Sequence, residues 1–191
     1  MIFNVSKGFK NRLQLLTKRR PRSECNTTVA AMGCIYMGHT IPSPDGIMPE
    51  DYIMDILDSE EGRSYLQFIV PGARYNPWND SKCIAWATNK AVGKQVCRVE
   101  KLTMDKMKAH IYRGGAVGIG GGFVKRKGTS GHFVCVVGVQ ENGDLIIDDP
   151  YGNFLNYYRD QNGNDLTIPL KQFIKLTFGR SKKKTMQIYL K

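Results

Sequence analysis

The 191-residue chain lacks the features that mark membrane-spanning, exported and zinc-binding proteins. No apolar run reaches the roughly 18 residues that a transmembrane helix needs. The first residues, 1–7, contain no apolar run of the ~7–15 residues found in signal peptides. The five cysteines form no Cys-x-x-Cys pair, and with three histidines they show no zinc-binding pattern. We therefore expect the protein to be synthesised in the cytoplasm without a signal peptide. If it leaves the cell, we expect it to do so by lysis or inside a particle.

Length and composition are those of one globular domain. The chain is 41% hydrophobic and 24% charged, which is ordinary for a protein with a packed core. No internal repeat or low-complexity linker divides it. We predict a single domain over residues 1–191, with an irregular or extended lead over 1–18 and a basic loop over 180–184. No cofactor is expected.

Basic residues outnumber acidic ones, 28 to 17, which gives a net charge of +11. This balance favours acidic partners such as nucleic acid, an anionic cell wall or a membrane surface. Three basic clusters lie at 18–22, 125–127 and 180–184. They are either solvated loops that aid solubility, or surfaces that steer an acidic substrate and help to hold a nearby thiolate.

Helical patterns fill the first half of the chain, and strand patterns fill most of the second. The predicted helices cover 27–37, 49–57, a short stretch from Ser59, 81–92, 103–114 and 169–173. The predicted strands cover 116–120, 133–139, 145–148, 154–158 and 185–190. Helices followed by antiparallel strands indicate an α+β fold.

A hairpin in the second half brings a histidine and a carboxylate together. Asn142-Gly143 is a strong turn signal between the two predicted strands. His132 enters the first strand and Asp149 leaves the second, so antiparallel pairing sets them side by side. A carboxylate in this place can hold an imidazole in one tautomer and orientation. Asp148 competes for the role, but strand alternation turns the two carboxylates to opposite faces. His39 and His110 are weaker candidates, interpreted as structural or exposed.

A cysteine precedes the first predicted helix. The thiolate is the nucleophilic form, and both a helix N-terminus and a nearby imidazole stabilise it. Cys25 stands at this position, and alone it is better explained as an ordinary first-turn residue. Cys34, Cys83 and Cys135 lie in apolar segments and are best explained as buried, reduced thiols. Acyl transfer also needs oxyanion donors, for which the Cys25 N–H and an upstream side-chain amide qualify; Gln14 is the only glutamine before Cys25.

These motifs resemble those of papain-like cysteine peptidases, in particular the bacteriocin-processing (double-glycine leader) peptidase group and its stand-alone bacterial and phage relatives. The resemblance rests on Gln14, on Cys25-Asn26-Thr27-Thr28 before an apolar helix, on Gly131-His132-Phe133-Val134, and on Asp149-Pro150-Tyr151-Gly152. It departs in Thr27 and Thr28, where the family usually has Val and Ser, and in the apolar residues after Gln14. The resemblance implies a nucleophile helix packed on an antiparallel sheet. It also implies Cys25 as nucleophile, His132 as general base and acid, Asp149 as orienting residue and Gln14 as oxyanion donor.

The predicted activity is peptide or isopeptide hydrolysis by a cysteine peptidase. Two substrates fit: a protein cleaved at a small-residue site, or the peptide stems of peptidoglycan. The glycine run 118–122 is expected to border the cleft, because small residues let a substrate backbone approach. Five aromatic residues are further candidates for a groove, although ordinary packing explains most of them: Trp78, Trp86, Tyr151, Tyr157 and Tyr158.

Two other classes stay open. One is a non-catalytic structural or binding component on a peptidase scaffold, for example a virion protein of a phage. A phage or virion-associated setting is an expectation by analogy alone. The other class is a nucleic-acid-binding protein, which the basic clusters permit but which no recognised motif supports.

Overall fold

The structure, a computed structural model, describes residues 3–9, 12, 16–20, 24–101, 103–123, 131–177 and 184–188. Its helices in this part of the chain are α1 (Cys25–Tyr36), α2 (Pro49–Asp58), α3 (Glu60–Ile69), α4 (Ser81–Val92), α5 (Met104–Tyr112) and α6 (Leu170–Thr177). Its strands are β1 (Phe3–Asn4), β2 (Cys97–Lys101), β3 (Ala116–Gly121), β4 (His132–Val139), β5 (Leu145–Asp148), β6 (Leu166–Ile168) and β7 (Lys184–Ile188). Short 3₁₀ helices cover Pro77–Asn79 and Phe154–Asn156.

The strands form one antiparallel sheet in the order β2-β7-β3-β4-β5-β6, and β1 adds to the far end of β4. The predicted hairpin is present between β4 and β5. Its turn places Gly143 at φ 85°, a conformation that glycine adopts without strain. The Asp144 N–H donates to Asn142 Oδ1 at 3.0 Å. The turn chemistry read from the sequence therefore sets the pairing of these two strands.

The sheet separates two hydrophobic cores because its side chains alternate between faces. Cys135 and Val137 of β4 belong to a core shared with α1, α2 and α4. Val134 and Val136 belong to a second core with α5 and α6. Ten of the twelve α1 residues are buried, from Asn26 onward, so this helix lies deep in the first core. The α+β prediction is confirmed.

Local sequence signals explain where several helices begin and end. Asp80 caps α4 by accepting the N–H of Lys82 at 2.7 Å, and Gly93 ends it at φ 77°. Pro49 opens α2, where its missing N–H costs no helical hydrogen bond. These boundaries match the prediction to within a residue.

Other elements differ from the prediction. The proposed strand at 154–158 is wrong: Asn153 accepts the N–H of Leu155 at 3.0 Å and starts a 3₁₀ turn. The strand β2 was not predicted, because it has few apolar residues and forms at a sheet edge against β7. The strand β6 was also missed, and the lead over 1–18 contains strand β1. Of the predicted basic loop, residues 180–183 lie outside the described residues.

Within the described part of the chain, no helix combines the length and the apolar character that crossing a bilayer requires.

Candidate active site

Cys25 is the first residue of α1, which begins two positions earlier than the predicted helix at 27–37. It is partly exposed, whereas the other four cysteines are buried. The first backbone N–H groups of a helix have no partner within the helix and give its N-terminus a partial positive charge. Asn26 secures this end, since its side chain donates to the Trp78 carbonyl and accepts the Thr27 N–H at 2.8 Å. The thiol therefore stands at a fixed helix terminus with access to solvent.

Glu24 precedes the cysteine and is fully buried. Burial raises the pKa of its carboxyl to about 7, although a hydrogen bond with Thr17 acts in the opposite direction. In weakly acidic solution this group is therefore largely uncharged.

His132 and Asp149 are in direct contact. The distance from His132 Nε2 to Asp149 Oδ1 is 2.6 Å, and both side chains are buried. The hairpin produces this contact, because β4 begins at His132 and Asp149 directly follows β5. The geometry is the one that antiparallel pairing predicted.

The imidazole also forms a side-chain hydrogen bond with Cys25. Because Asp149 occupies Nε2, the nitrogen left for the thiol is Nδ1. Burial of His132 opposes its protonation, but the hydrogen bonds with Asp149 and Cys25 and their negative charges outweigh burial. Together they raise the pKa of His132 to about 10. An imidazolium beside a sulfur favours the thiolate, which is the nucleophilic form.

Three further contacts fix Asp149. Its Oδ1 accepts the Tyr151 N–H at 2.8 Å, and its Oδ2 accepts the Tyr158 hydroxyl at 3.2 Å. Its own N–H donates to the Gly163 carbonyl at 2.9 Å. The carboxylate is thus held from several directions while it faces His132.

Asp148 belongs to a different network. It is 1% exposed, and its Oδ1 accepts the Asp165 N–H at 2.7 Å. Tyr36 and Ser6 lie on the same side. Burial above all raises the pKa of Asp148 to about 6. The structure therefore places Asp149, and not Asp148, against His132.

Among the other candidates from the sequence, the glycine run reaches His132. His39 and His110 are both buried, which excludes the exposed alternative for them. Gly118–Gly121 are part of β3, and Gly121 pairs with His132 in the sheet. A Cβ at Gly121 would come within 2.6 Å of the Phe123 ring, so close packing explains the absence of a side chain there. Gln14 lies outside the described residues.

One basic cluster is paired within the molecule. Arg19 forms an ion pair with Asp55 at 2.9 Å, and Arg20 forms one with Asp58 at 2.8 Å. Acidic residues of α2 therefore neutralise part of the positive charge in this cluster. The sequence had suggested that this charge steers an acidic substrate. The cluster at 125–127 and Arg22 lie outside the described residues.

Two tyrosines surround the His132–Asp149 pair, and the sequence indicated them only as two of five aromatic candidates for a groove. The rings of Tyr151 and Tyr158 stand edge-on to the imidazole, with centroids 6.1 and 6.3 Å away. Tyr157 points away and is 65% exposed. Trp86 stacks on Tyr65 at 4.7 Å, away from this pair. The tyrosines near Asp149 are close together in the sequence. Which of them face His132 depends on the turn that follows Phe154, and the sequence did not predict that turn.

No family model matches the sequence, and no curated protein matches it. Among solved structures, the chain is similar to a protein from Bacillus anthracis described as a C39-like peptidase. The two share 13% sequence identity, and the alignment covers 99% of this chain and 98% of the other, with a TM-score of 0.63. At this identity the likeness concerns the fold. The chain therefore has a C39-like, papain-like fold, in which helices pack on an antiparallel sheet.

Proposed function

We propose that the protein is a cysteine peptidase that cleaves peptide or isopeptide bonds with Cys25 as nucleophile. The observation that carries the proposal is the continuous chain of contacts from Cys25 to His132 to Asp149. Many proteins contain a cysteine and a histidine, but a partly exposed thiol at a helix N-terminus, bonded to a buried histidine–carboxylate pair, is suited to nucleophilic catalysis. The C39-like peptidase fold supports the same reading.

The proposed reaction has two steps. The Cys25 thiolate attacks the carbonyl carbon, and collapse of the tetrahedral intermediate breaks the C–N bond while His132 gives its proton to the leaving amine. The thioester that remains is hydrolysed by water, whose proton His132 accepts, and the thiol is regenerated. Asp149 holds the imidazole in place during both steps.

Oxyanion stabilisation is assigned to the Cys25 N–H and to Gln14. The first residue of a helix has an N–H that the helix itself does not use, and Cys25 holds that position. Gln14 is assigned by the resemblance of the sequence. Replacing Gln14 with Ala should lower kcat by about 100-fold, whereas Gln67→Ala, in α3, serves as a matched control.

The proposed substrates are proteins cleaved at small-residue sites and the stem peptides of peptidoglycan. The net charge of +11 favours an anionic surface such as a bacterial wall. A role in a phage particle or in release by lysis belongs to the same proposal. We infer no separate non-catalytic function, since no contact in the described residues favours one.

The first experiment measures thiol reactivity without needing a substrate. A limiting amount of an alkylating probe should label Cys25 far faster than the four buried cysteines, with the modified residue identified by peptide mapping. Cys25→Ala should remove this fast phase, and His132→Ala should slow it. Equal labelling of all five thiols would contradict an activated Cys25.

The second experiment identifies the substrate. Wild type and Cys25→Ala are compared on purified peptidoglycan and on a peptide library. Products that appear with wild type alone would support the proposal and define the scissile bond. Products that appear equally with Cys25→Ala would rule out the assignment of Cys25.

A further inference from the structure

We propose that Tyr158 is a positioning residue, whose hydroxyl holds the Asp149 carboxylate in the rotamer that orients His132. The inference rests on the proposed function and adds a fourth residue to the chain of contacts. Neither strand of the hairpin contains Tyr158. It reaches the pair from the turn that follows the 3₁₀ helix Phe154–Asn156.

The division of contacts between the two Asp149 oxygens is the first argument. Oδ1 meets His132 at 2.6 Å and the Tyr151 N–H at 2.8 Å. Oδ2 accepts the Tyr158 hydroxyl at 3.2 Å. Contacts on both oxygens resist rotation of a carboxylate about its bond to Cβ, and the tyrosine adds a contact on Oδ2 to those on Oδ1.

The chemistry of the phenol suits this task. Burial above all, and then the charge of Asp149, raise the pKa of the Tyr158 hydroxyl well above its usual range. The group therefore remains a neutral donor at every pH at which the protein would act. Unlike a histidine or a lysine, it supplies a hydrogen bond without adding a charge that would compete with the imidazolium.

The backbone at this point has an unusual conformation. Tyr157 and Tyr158 have φ values of 62° and 61°, in the left-handed region that residues with a side chain rarely adopt. The Tyr158 N–H donates to the Asn153 carbonyl at 2.8 Å and thereby holds the turn. Strained backbone of this kind is concentrated at functional sites. Here it turns Tyr158 inward and leaves Tyr157 exposed.

The aromatic ring contributes as well as the hydroxyl. The rings of Tyr158 and Tyr151 are perpendicular to each other, with centroids 5.0 Å apart. The plane of each ring is also nearly perpendicular to the plane of the imidazole. The two rings thus flank the His132–Asp149 contact and limit the access of water to it. Tyr158→Phe keeps this packing and removes only the hydroxyl.

The test compares wild type with Tyr158→Phe, and Tyr112→Phe is the control, since Tyr112 is 55% exposed at the end of α5. For a substrate found with the peptide library, we expect kcat to fall about tenfold, the effect of losing one hydrogen bond to a charged group, with KM nearly unchanged. The pKa of His132, followed by NMR of its ring in the substrate-free protein, should fall, because a less restrained carboxylate supports the imidazolium less well. An unchanged or raised pKa of His132 would overturn the positioning role.

A double-mutant cycle shows whether Tyr158 acts through Asp149. If it does, Tyr158→Phe added to Asp149→Ala should cause little further loss of kcat. Independent, additive losses would overturn the proposal.

A measurement on wild type covers the case in which Tyr158→Phe does not fold. The ¹³Cζ resonance of Tyr158 should change with the same midpoint as the His132 ring, because the hydroxyl senses the carboxylate that pairs with the imidazolium. A Tyr158 resonance that does not change as His132 titrates would overturn the proposed link between Tyr158 and the His132–Asp149 pair. This readout needs no activity, so a failure of the peptidase assignment is distinguishable from a failure of the positioning role.

Discussion

Asp148 and Asp149 are adjacent in the chain, but their carboxylates enter separate hydrogen-bond networks. Asp149 contacts His132 at 2.6 Å, whereas Asp148 accepts the Asp165 N–H at 2.7 Å. The alternation of side chains along a strand separates them, since successive residues face opposite sides of a sheet. Only Asp149 is therefore in contact with the proposed general base.

The first prediction follows from this separation. Asp149→Ala should lower kcat/KM by about 100-fold or more, because the imidazole loses the group that fixes its orientation. Asp149→Asn should cause a smaller loss, since its amide oxygen still accepts from Nε2. Asp148→Asn is the matched control and should leave kcat/KM within about twofold of wild type, because surrounding contacts hold the amide in place. An equal loss in the two asparagine variants would contradict the separation of the networks.

The second prediction concerns the pH dependence of hydrolysis. The pKa of His132 is raised to about 10, so the imidazolium that would protonate the leaving amine in the proposed reaction persists well above neutral pH. The alkaline limb of kcat/KM should therefore lie near pH 10, and in Asp149→Asn it should move to lower pH because the neighbouring negative charge is gone. Stopped assays across pH 6–11 measure this limb. A wild-type limb close to pH 6.5, the ordinary pKa of histidine, would show that the contacts with Asp149 and Cys25 do not stabilise the imidazolium.

The sequence was sufficient to place the His132–Asp149 contact because both residues lie at the ends of one hairpin. Its Asn-Gly turn and the apolar runs on either side of the turn specify the pairing through local rules. Cys25 is more remote, and its place beside His132 depends on how α1 packs on the sheet. No local rule specifies that packing, so the sequence supported it only through a family resemblance.

Tyr158 shows where local rules fail. The segment from Phe154 to Tyr158 is aromatic and reads as a strand, but Asn153 caps a 3₁₀ turn and two residues adopt positive φ. Propensity tables disfavour this conformation for tyrosine, and it forms because the surrounding contacts outweigh local preference. Edge strand β2 is a second case. The Asn89 side chain accepts the Cys97 N–H at 2.7 Å and fixes the start of the strand. Because Asn89 lies in α4, the residues of β2 alone do not predict this contact.

The third prediction concerns Asp148 and stability. Its pKa is raised to about 6 by burial, above the value of about 3.9 in an unfolded chain. The folded state therefore favours the protonated carboxyl, and the stability that this group gives is lost as pH rises from about 4 through about 6. Asp148→Asn should be more stable than wild type at pH 7.5, by on the order of 2 kcal/mol.

Urea titrations at pH 4 and pH 7.5 measure this effect. The gain should be confined to the higher pH, because wild-type Asp148 is already neutral at the lower one. A variant that is no more stable than wild type at pH 7.5 would show that burial of the charged Asp148 carboxylate does not destabilise the folded protein.

The fourth prediction concerns the segment that leads to Cys25. Asp51, on the first turn of α2, is 2% exposed and accepts the N–H groups of Lys18 and Arg19 at 3.2 and 3.1 Å. Asp51→Ala leaves these two donors without this acceptor and should cost about 1–3 kcal/mol in the free energy of unfolding. Asp55→Ala removes an exposed ion pair with Arg19 and should cost at most about 1 kcal/mol.

Salt and hydrogen exchange separate these two contributions. The effect of Asp55→Ala should shrink at high salt, because exposed ion pairs are screened, whereas that of Asp51→Ala should persist. The amides of Lys18 and Arg19 should exchange faster in Asp51→Ala alone. Since the same segment continues to Glu24 and Cys25, the thiol of Asp51→Ala should also react more slowly with an alkylating probe. Unchanged amide exchange in Asp51→Ala would show that α2 does not anchor the approach to the nucleophile.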